Sequence, residues 1–316
     1  MDESDNHGQQ SIFDTRSPSE EWAEESAKHV LDELFNATQR YKSSAAFRDL
    51  LAFISRFRFY STFNGFLIHL QRPGAKFVAP PNRWKKKYQH IIKPNASPIV
   101  ILRPKGPVMF VFDVGDIEPL PGAPPLPPEV TDPFRPREGR IGRELERTIE
   151  NGKRDGIRIL PQHAGTQSAG SIRWAKGPNP LLLMFYTGKD GDGRPKYQKV
   201  NVTFDLLVNN ALSPEATYVA IAHELAHLYC GHIGTVNKTW WPDRQGLIER
   251  VSEFEAECTA YLVCNRLGLK LPSDSYLYRY LKNNNQIPDI SLECVMKSAG
   301  LIESMGERRL PPRKGD

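Results

Sequence analysis

Apolar residues recur at helical spacing from about Glu21 to Ser55, first as Val30, Leu34 and Phe35, then as Phe47, Leu50, Leu51 and Ile54. That period predicts amphipathic helix. Ile99-Val100-Ile101-Leu102 and Val108-Met109-Phe110-Val111-Phe112 read as two strands split by a Pro-Lys-Gly-Pro turn. Gly139 to Lys153 has the make-up of a charged helix, and Tyr197 to Phe204 alternates as a strand does. Ser213 and Pro214 are a cap and first residue for a helix that Gly231 would end. A second long helix is predicted from about Leu247 to Leu267, stopped by Gly268. The sequence shows no internal repeat.

Residues 118–137 are proline-dense and divide this pattern, reading as an extended linker or surface wrap. The expected organisation is a disordered acidic tail (1–20), a basic N-terminal domain (21–117), the linker (118–137) and a second domain (138–316).

The chain has 316 residues, 39% hydrophobic and 25% charged, which suits a globular protein with a real core. Its first ten residues, MDESDNHGQQ, lack an apolar run, so no signal peptide is expected. The longest apolar runs fall far short of a membrane span. Cys230, Cys258, Cys264 and Cys294 include no CxxC pair, hence no cysteine zinc site or disulfide framework is expected. These features together predict a cytoplasmic location.

The net charge of +5 hides an asymmetry. Residues 1–35 carry ten acidic side chains against Arg16 and Lys28, a net of −8. Residues 36–108 carry fourteen Lys/Arg against Asp49, a net of +13. Such separation implies an electrostatic target for the basic part, or a tail that covers it.

The chemistry is concentrated in His223-Glu224-Leu225-Ala226-His227. Residues i and i+4 of a helix lie on one face, so His223 and His227 can converge on one Zn²⁺. Glu224, turned by about 100°, can reach a water on that ion without being a ligand, and so can serve as general base. The surrounding Val219, Ala220, Ile221, Ala222, Leu225, Ala226 and Leu228 make the helix apolar nearly all round. Polar groups buried in such a helix would be costly without a partner.

A third ligand is expected from the second helix. Projected at about 100° per residue, Glu255 shares an arc with Ile248, Val251, Cys258, Thr259 and Leu262. Glu253 and Glu257 fall about 160° away with Glu249, Arg250 and Cys264, and read as a solvated face. A carboxylate on an apolar stripe needs compensation, which makes Glu255 the expected ligand. His232 and Tyr261 are candidate substrate or transition-state contacts, against a structural role at the helix terminus for His232 and a buried aromatic for Tyr261. Tyr229 reads better as a buried aromatic, and Cys230 as a packed thiol.

The fragments HELAHLYCGH and EFEAECTAYLVCNRLGL resemble the ImmA/IrrE class of zinc metallopeptidases, and more closely the ArdC-like antirestriction proteins. That resemblance implies Glu255 as ligand, with Cys258 where a Ser or Thr is usual. Ser275-Tyr276-Leu277 and the run to Leu281 resemble the segment that follows. Tyr60-Ser61, Asn64, Phe66-Leu67-Ile68, Gln71, Pro73, Ala75 and Trp84 resemble the ArdC opening pattern, and Phe112-Asp113-Val114 with Leu120-Pro121 a later one. About two-thirds of the chain is covered; residues 125–195 match nothing, Lys85-Lys86-Lys87 stand where a glycine turn is usual, and no helix-turn-helix module is present.

The resemblance implies an α+β fold, with a zincin-like (gluzincin) metallopeptidase domain behind a small basic α+β domain. It implies a zinc endopeptidase acting on a protein partner. The second reading is single-stranded-DNA binding with a structural or vestigial metal site, its candidate contacts being Arg56, Arg58, Tyr60, Trp84, Lys85, Lys86 and Lys87. The plainer alternative makes those aromatics core and those charges a solvated face.

Overall fold

The computed structural model describes residues 41, 43–103, 106–131, 139–163, 169–176, 181–269, 277, 281 and 286–313. The expected acidic tail, the first half of the helical pattern before Tyr41, and Ser275-Tyr276 lie outside the described residues.

Serine hydroxyls start four of the main helices. Ser43 caps α1 (Ser44–Arg56), Ser61 caps α2 (Thr62–Gln71) and Ser213 caps the motif helix (Pro214–Tyr229), each accepting a backbone N–H three residues on. Ser291 does the same for the last helix (Leu292–Glu307). Each such cap is worth about 1 kcal/mol and fixes where the helix begins. Phe47, Leu50, Leu51 and Ile54 of α1 are buried, as their spacing predicts.

β1 (Val78–Ala79), β4 (Gly106–Asp113) and β3 (Ile99–Arg103) form an antiparallel sheet in the order β1-β4-β3, with Ile99 opposite Val111. Helix α2 closes the outer edge of β3 with two side-chain amides. Asn64 exchanges hydrogen bonds with the backbone of Leu102, and Gln71 does so with Val100, all at 2.8–3.0 Å.

Between β1 and β3 lie α3 (Pro81–Tyr88) and β2 (His90–Ile92), which pairs with β5 (Ile117–Pro119). Phe77, Ala79, Trp84, Tyr88, Ile117 and Val130 make a small separate core there. The expected linker is partly structured: it begins in β5 and includes α4 (Pro128–Thr131), whose Val130 anchors it to that core.

Helix α5 (Arg143–Arg154) starts a few residues later than expected and leads into β6 (Ile157–Gln162). The next sheet has the order β6-β10-β7, with β10 (Phe204–Asn209) parallel to β6 and antiparallel to β7 (Gly170–Trp174). β8 (Leu182–Lys189) and β9 (Pro195–Asn201) form a hairpin. The strand expected over Tyr197–Phe204 is therefore two strands in two sheets, broken at Val202-Thr203. α6 is the motif helix (Pro214–Tyr229), α7 spans Glu249–Leu267 and α8 spans Leu292–Glu307.

The main core does not follow the division expected near residue 117. One buried cluster includes Phe47, Ile54 and Phe66 from the N-terminal part together with Leu225, Phe254 and Ile302. Arg266, near the end of α7, reinforces this union. Its guanidinium donates to the carbonyls of Ile54, Phe57 and Tyr60 at 2.7–2.9 Å and pairs with Glu303, which also accepts from Thr62. No helix among the described residues is long and apolar enough to cross a membrane.

Candidate metal centre

Helices α6 and α7 pack together and present their polar positions to one cleft. From α6, His223 and His227 bring their Nε2 atoms to 3.1 Å of each other. From α7, Glu253 Oε2 lies 3.5 Å from His223 Nε2, and Oε1 lies 3.4 Å from His227 Nε2. Tetrahedral donors at about 2.0–2.1 Å from a zinc ion sit about 3.3 Å apart, so these three side chains fit the ion. His223 Nδ1, on the other side of its ring, faces Glu257 at 3.8 Å.

Glu255, the ligand expected from the sequence, is elsewhere. Its side chain is fully buried on the opposite side of α7, as projection predicts, but its partner there is a cation of the protein itself. Arg244 donates to both carboxylate oxygens at 2.6 and 2.8 Å, His232 Nε2 lies at 2.8 Å and the Ser291 N–H donates at 2.6 Å. An apolar stripe requires a buried carboxylate to be compensated, and a bidentate guanidinium does this as well as a metal. The face read as solvated, with Glu253 and Glu257, lines the cleft instead.

Glu224 is buried beside the histidines and against β7. A Cβ on Gly170 would come 3.2 Å from Glu224 Cγ and 3.1 Å from the Leu207 carbonyl, so the missing side chain is what lets the carboxylate lie flat on the strand. The Ile172 backbone also hydrogen-bonds to Glu224. The cleft holds about 480 Å³, bounded by Gly170, Ser171 and Ile172 on one side and His223, Glu224, His227 and Glu253 on the other. β7 is an outer strand of its sheet, and Trp174 at its end donates from Nε1 to the Ile233 carbonyl at 2.8 Å. The outer strand that borders the cleft beside the motif helix is thus β7.

The electrostatics suit a cation. Burial would lower the pKa of His223, but Glu253, Glu224 and Glu257 outweigh it and raise it. His223 and His227 hold the Glu253 carboxyl far below the usual range. Burial raises the Glu224 carboxyl against the pull of both imidazoles. Three carboxylates around two imidazoles leave the cleft with an excess of negative charge.

His232 also lines the cleft, with both of its ring nitrogens engaged. Its Nδ1 lies 3.0 Å from His227 Nδ1 and its Nε2 reaches Glu255, while burial lowers its pKa. Cys230, His232 and Glu255 also gather within 4.8 Å. Arg244 already occupies both Glu255 oxygens, and burial pushes the Cys230 thiol up to about 12, so this group is a hydrogen-bonded support. Cys230 donates to Ser298 Oγ, the packed thiol expected. Tyr261 packs toward α1 beside Ser55, away from the cleft. Tyr229 is buried and donates to Asp155 at 2.8 Å.

The candidate nucleic-acid contacts divide by type. Trp84 is fully buried, with Nε1 donating to the Phe112 carbonyl at 3.0 Å. Tyr60 stacks on Phe57 and donates to the Val78 carbonyl, and burial raises its phenol pKa to about 12. Phe57, Phe63, Phe66 and Tyr88 are buried as well. Arg56 and Arg58 bond to the carbonyls of Ala52 and Ser55. Lys85, Lys86 and Lys87 are exposed on α3, and Lys87 pairs with Glu129 at 2.7 Å.

Glu253 and β7 are the parts the sequence reading missed. Glu253 and Glu257 stand at i and i+4, the same interval as the histidines, and Gly170, Ile172 and Trp174 alternate with period two. Neither pattern names its partner, because each is completed by an element distant in sequence.

No family model matches the sequence, and no curated protein matches it. Among solved structures, the antirestriction protein ArdC from the R388 plasmid, in its metal-free form, is similar over 77% of this chain and 81% of that chain, with 15% identity and a TM-score of 0.32. So low a TM-score carries no argument, and the functional reading stands on the geometry of the cleft.

Proposed function

We propose that the protein is a zinc-dependent metallopeptidase of the gluzincin type that hydrolyses a peptide bond in a protein partner in the cytoplasm. The observation that carries this reading is the convergence of His223, His227 and Glu253 beside a buried Glu224 on an outer strand. His223, His227 and Glu253 would hold the zinc ion, which when bound polarises a carbonyl and acidifies a water molecule.

Glu224 is the general base in this reading. Its carboxylate takes the proton of the attacking water and passes it to the leaving amine. Burial against Gly170 fixes its position, and the raised carboxyl pKa favours it as a proton carrier. The outer edge of β7 offers backbone groups to an extended substrate, which would then cross the cleft in front of Glu224. Glu224→Gln should retain stoichiometric zinc and lose cleavage of the partner. Cleavage at the wild-type rate by a zinc-loaded Glu224→Gln protein would remove the proposal.

The second reading, an ArdC-like antirestriction or DNA-associated protein that binds single-stranded DNA, draws on the exposed lysines of α3. Burial of Trp84, Tyr88, Phe57, Phe63 and Phe66 takes away most of the rings on which bases would stack and leaves Phe59 exposed and Tyr60 half-buried. What remains is a phosphate-attracting surface with Phe59 as an exposed ring, and salt-dependent oligonucleotide binding that Lys85→Glu with Lys86→Glu abolishes would support it.

A further inference from the structure

Metal ligation through Nε2 of His227 determines the proton on every ring nitrogen behind it. With Nε2 turned toward His223 and Glu253, the His227 proton sits on Nδ1, which points at His232 Nδ1 at 3.0 Å. His232 Nδ1 must then accept, so its own proton is on Nε2 and is donated to Glu255 Oε2 at 2.8 Å. Glu255 is held in turn by Arg244 and the Ser291 N–H. Donation thus runs from the metal-facing ring through His232 to Glu255, which Arg244 anchors from the other side.

Resting on the metal-centre reading above, we infer that His232, backed by Glu255 and Arg244, is a positioning residue that sets the tautomer and ring angle of His227. A histidine ligand is ordinarily steadied by one acceptor on its other nitrogen. Here the acceptor is a second imidazole, and the carboxylate stands one step further back.

The backbone supports that arrangement. Gly231 takes φ +83°, and a Cβ there would lie 2.2 Å from the Pro242 carbonyl, so the chain can turn sharply after α6 and bring His232 back under His227. The Arg244 N–H donates to the Gly231 carbonyl at 2.9 Å and its side chain to the Cys230 carbonyl at 3.2 Å. The turn, the imidazole and the guanidinium are therefore built as one unit.

The test uses the full chain and metal ions alone. Zinc affinity is measured by competition with a chromophoric chelator, and the visible spectrum of the Co²⁺-loaded protein reports ligand geometry. His232→Ala should weaken zinc binding about 10–100-fold and shift the cobalt bands, while His232→Gln, which can still accept from Nδ1, should recover part of both. Wild-type affinity and spectrum in His232→Ala would overturn the inference and leave the metal centre standing. Failure of the wild type itself to bind either ion would remove both. Should the variants not fold, ¹⁵N–¹H correlation of the zinc-loaded wild type decides: a His232 ring protonated at Nε2 alone supports the chain, and one protonated at Nδ1 overturns it.

Discussion

Helix α7 has two sides that use the same residue type for opposite ends. On the cleft side Glu253, its side chain 39% exposed, lies 3.4–3.5 Å from two imidazole nitrogens. On the core side Glu255, two residues on and fully buried, is bound by a guanidinium, an imidazole and a backbone N–H. A carboxylate in the core reports that a positive partner exists, not which one. The carboxylate that can exchange water for a metal is the less buried of the two.

Exchanging the two roles by mutation gives the sharpest test. Glu253→Gln should leave the purified protein without stoichiometric metal, measured by elemental analysis, at almost no cost in folding stability. Glu255→Gln should do the reverse. It leaves the partly buried Arg244 guanidinium without its counter-charge, at a cost of about 3 kcal/mol by denaturant unfolding, and the metal remains, bound more weakly. If Glu255→Gln instead lost its metal at unchanged stability, the assignment of the two sides would be inverted.

The cleft side can be probed further through Glu224. Its substitution by Gln should lower the cleavage rate by about 10²–10⁴-fold at saturating zinc, with unchanged unfolding midpoint.

On the core side, Arg266→Ala should cost about 3–5 kcal/mol, because Glu303 and three carbonyls lose their donor together. Unfolding should stay a single transition in the wild type, and two separated transitions would show that the N-terminal half has its own core.

The small core under α3 repeats the contrast between a surface and what lies beneath it. Trp84→Ala should cost about 3–5 kcal/mol, whereas Lys85→Ala should change stability by less than about 0.5 kcal/mol. A Trp84 variant of unchanged stability would reopen the stacking surface that burial rules out.

The smallest effect concerns acid. Burial alone would raise the Asp155 carboxyl, but Arg313 and Arg154 outweigh it and hold it below the usual range. Because the folded-state pKa is depressed, its stabilisation is present above about pH 4 and fades as pH falls through the folded value. Asp155→Asn should be less stable at neutral pH and show a flatter acid limb in a plot of unfolding midpoint against pH.

The sequence made local signals readable. Ser213, Pro214 and Gly231 bound the motif helix, and Gly268 with φ +82° ends α7, because caps act within a few residues of themselves. The two histidines and Glu224 were legible for the same reason, since one helix carries them all. Glu253 was not, because periodicity shows which side of α7 is apolar and says nothing about Arg244 waiting on that side. β7 was invisible as a wall of the cleft, since its place is set by pairing with β10 about thirty residues later. Most aromatics of residues 57–88, Phe59 apart, looked available to bases only while their packing against one another was unknown.

The amide pairs on β3 have a consequence for how the molecule meets other chains. An outer strand is a template for any extended polypeptide, and a protein ordinarily suppresses such templates. Asn64 and Gln71 spend their side chains imitating a neighbouring strand, so the hydrogen-bonding positions of Val100 and Leu102 are already occupied. Along β7 the side chain that meets the backbone is Glu224 itself, through Ile172. The fold thus treats its two outer strands differently, covering one with a pair of amides and setting the carboxylate of the motif helix against the other.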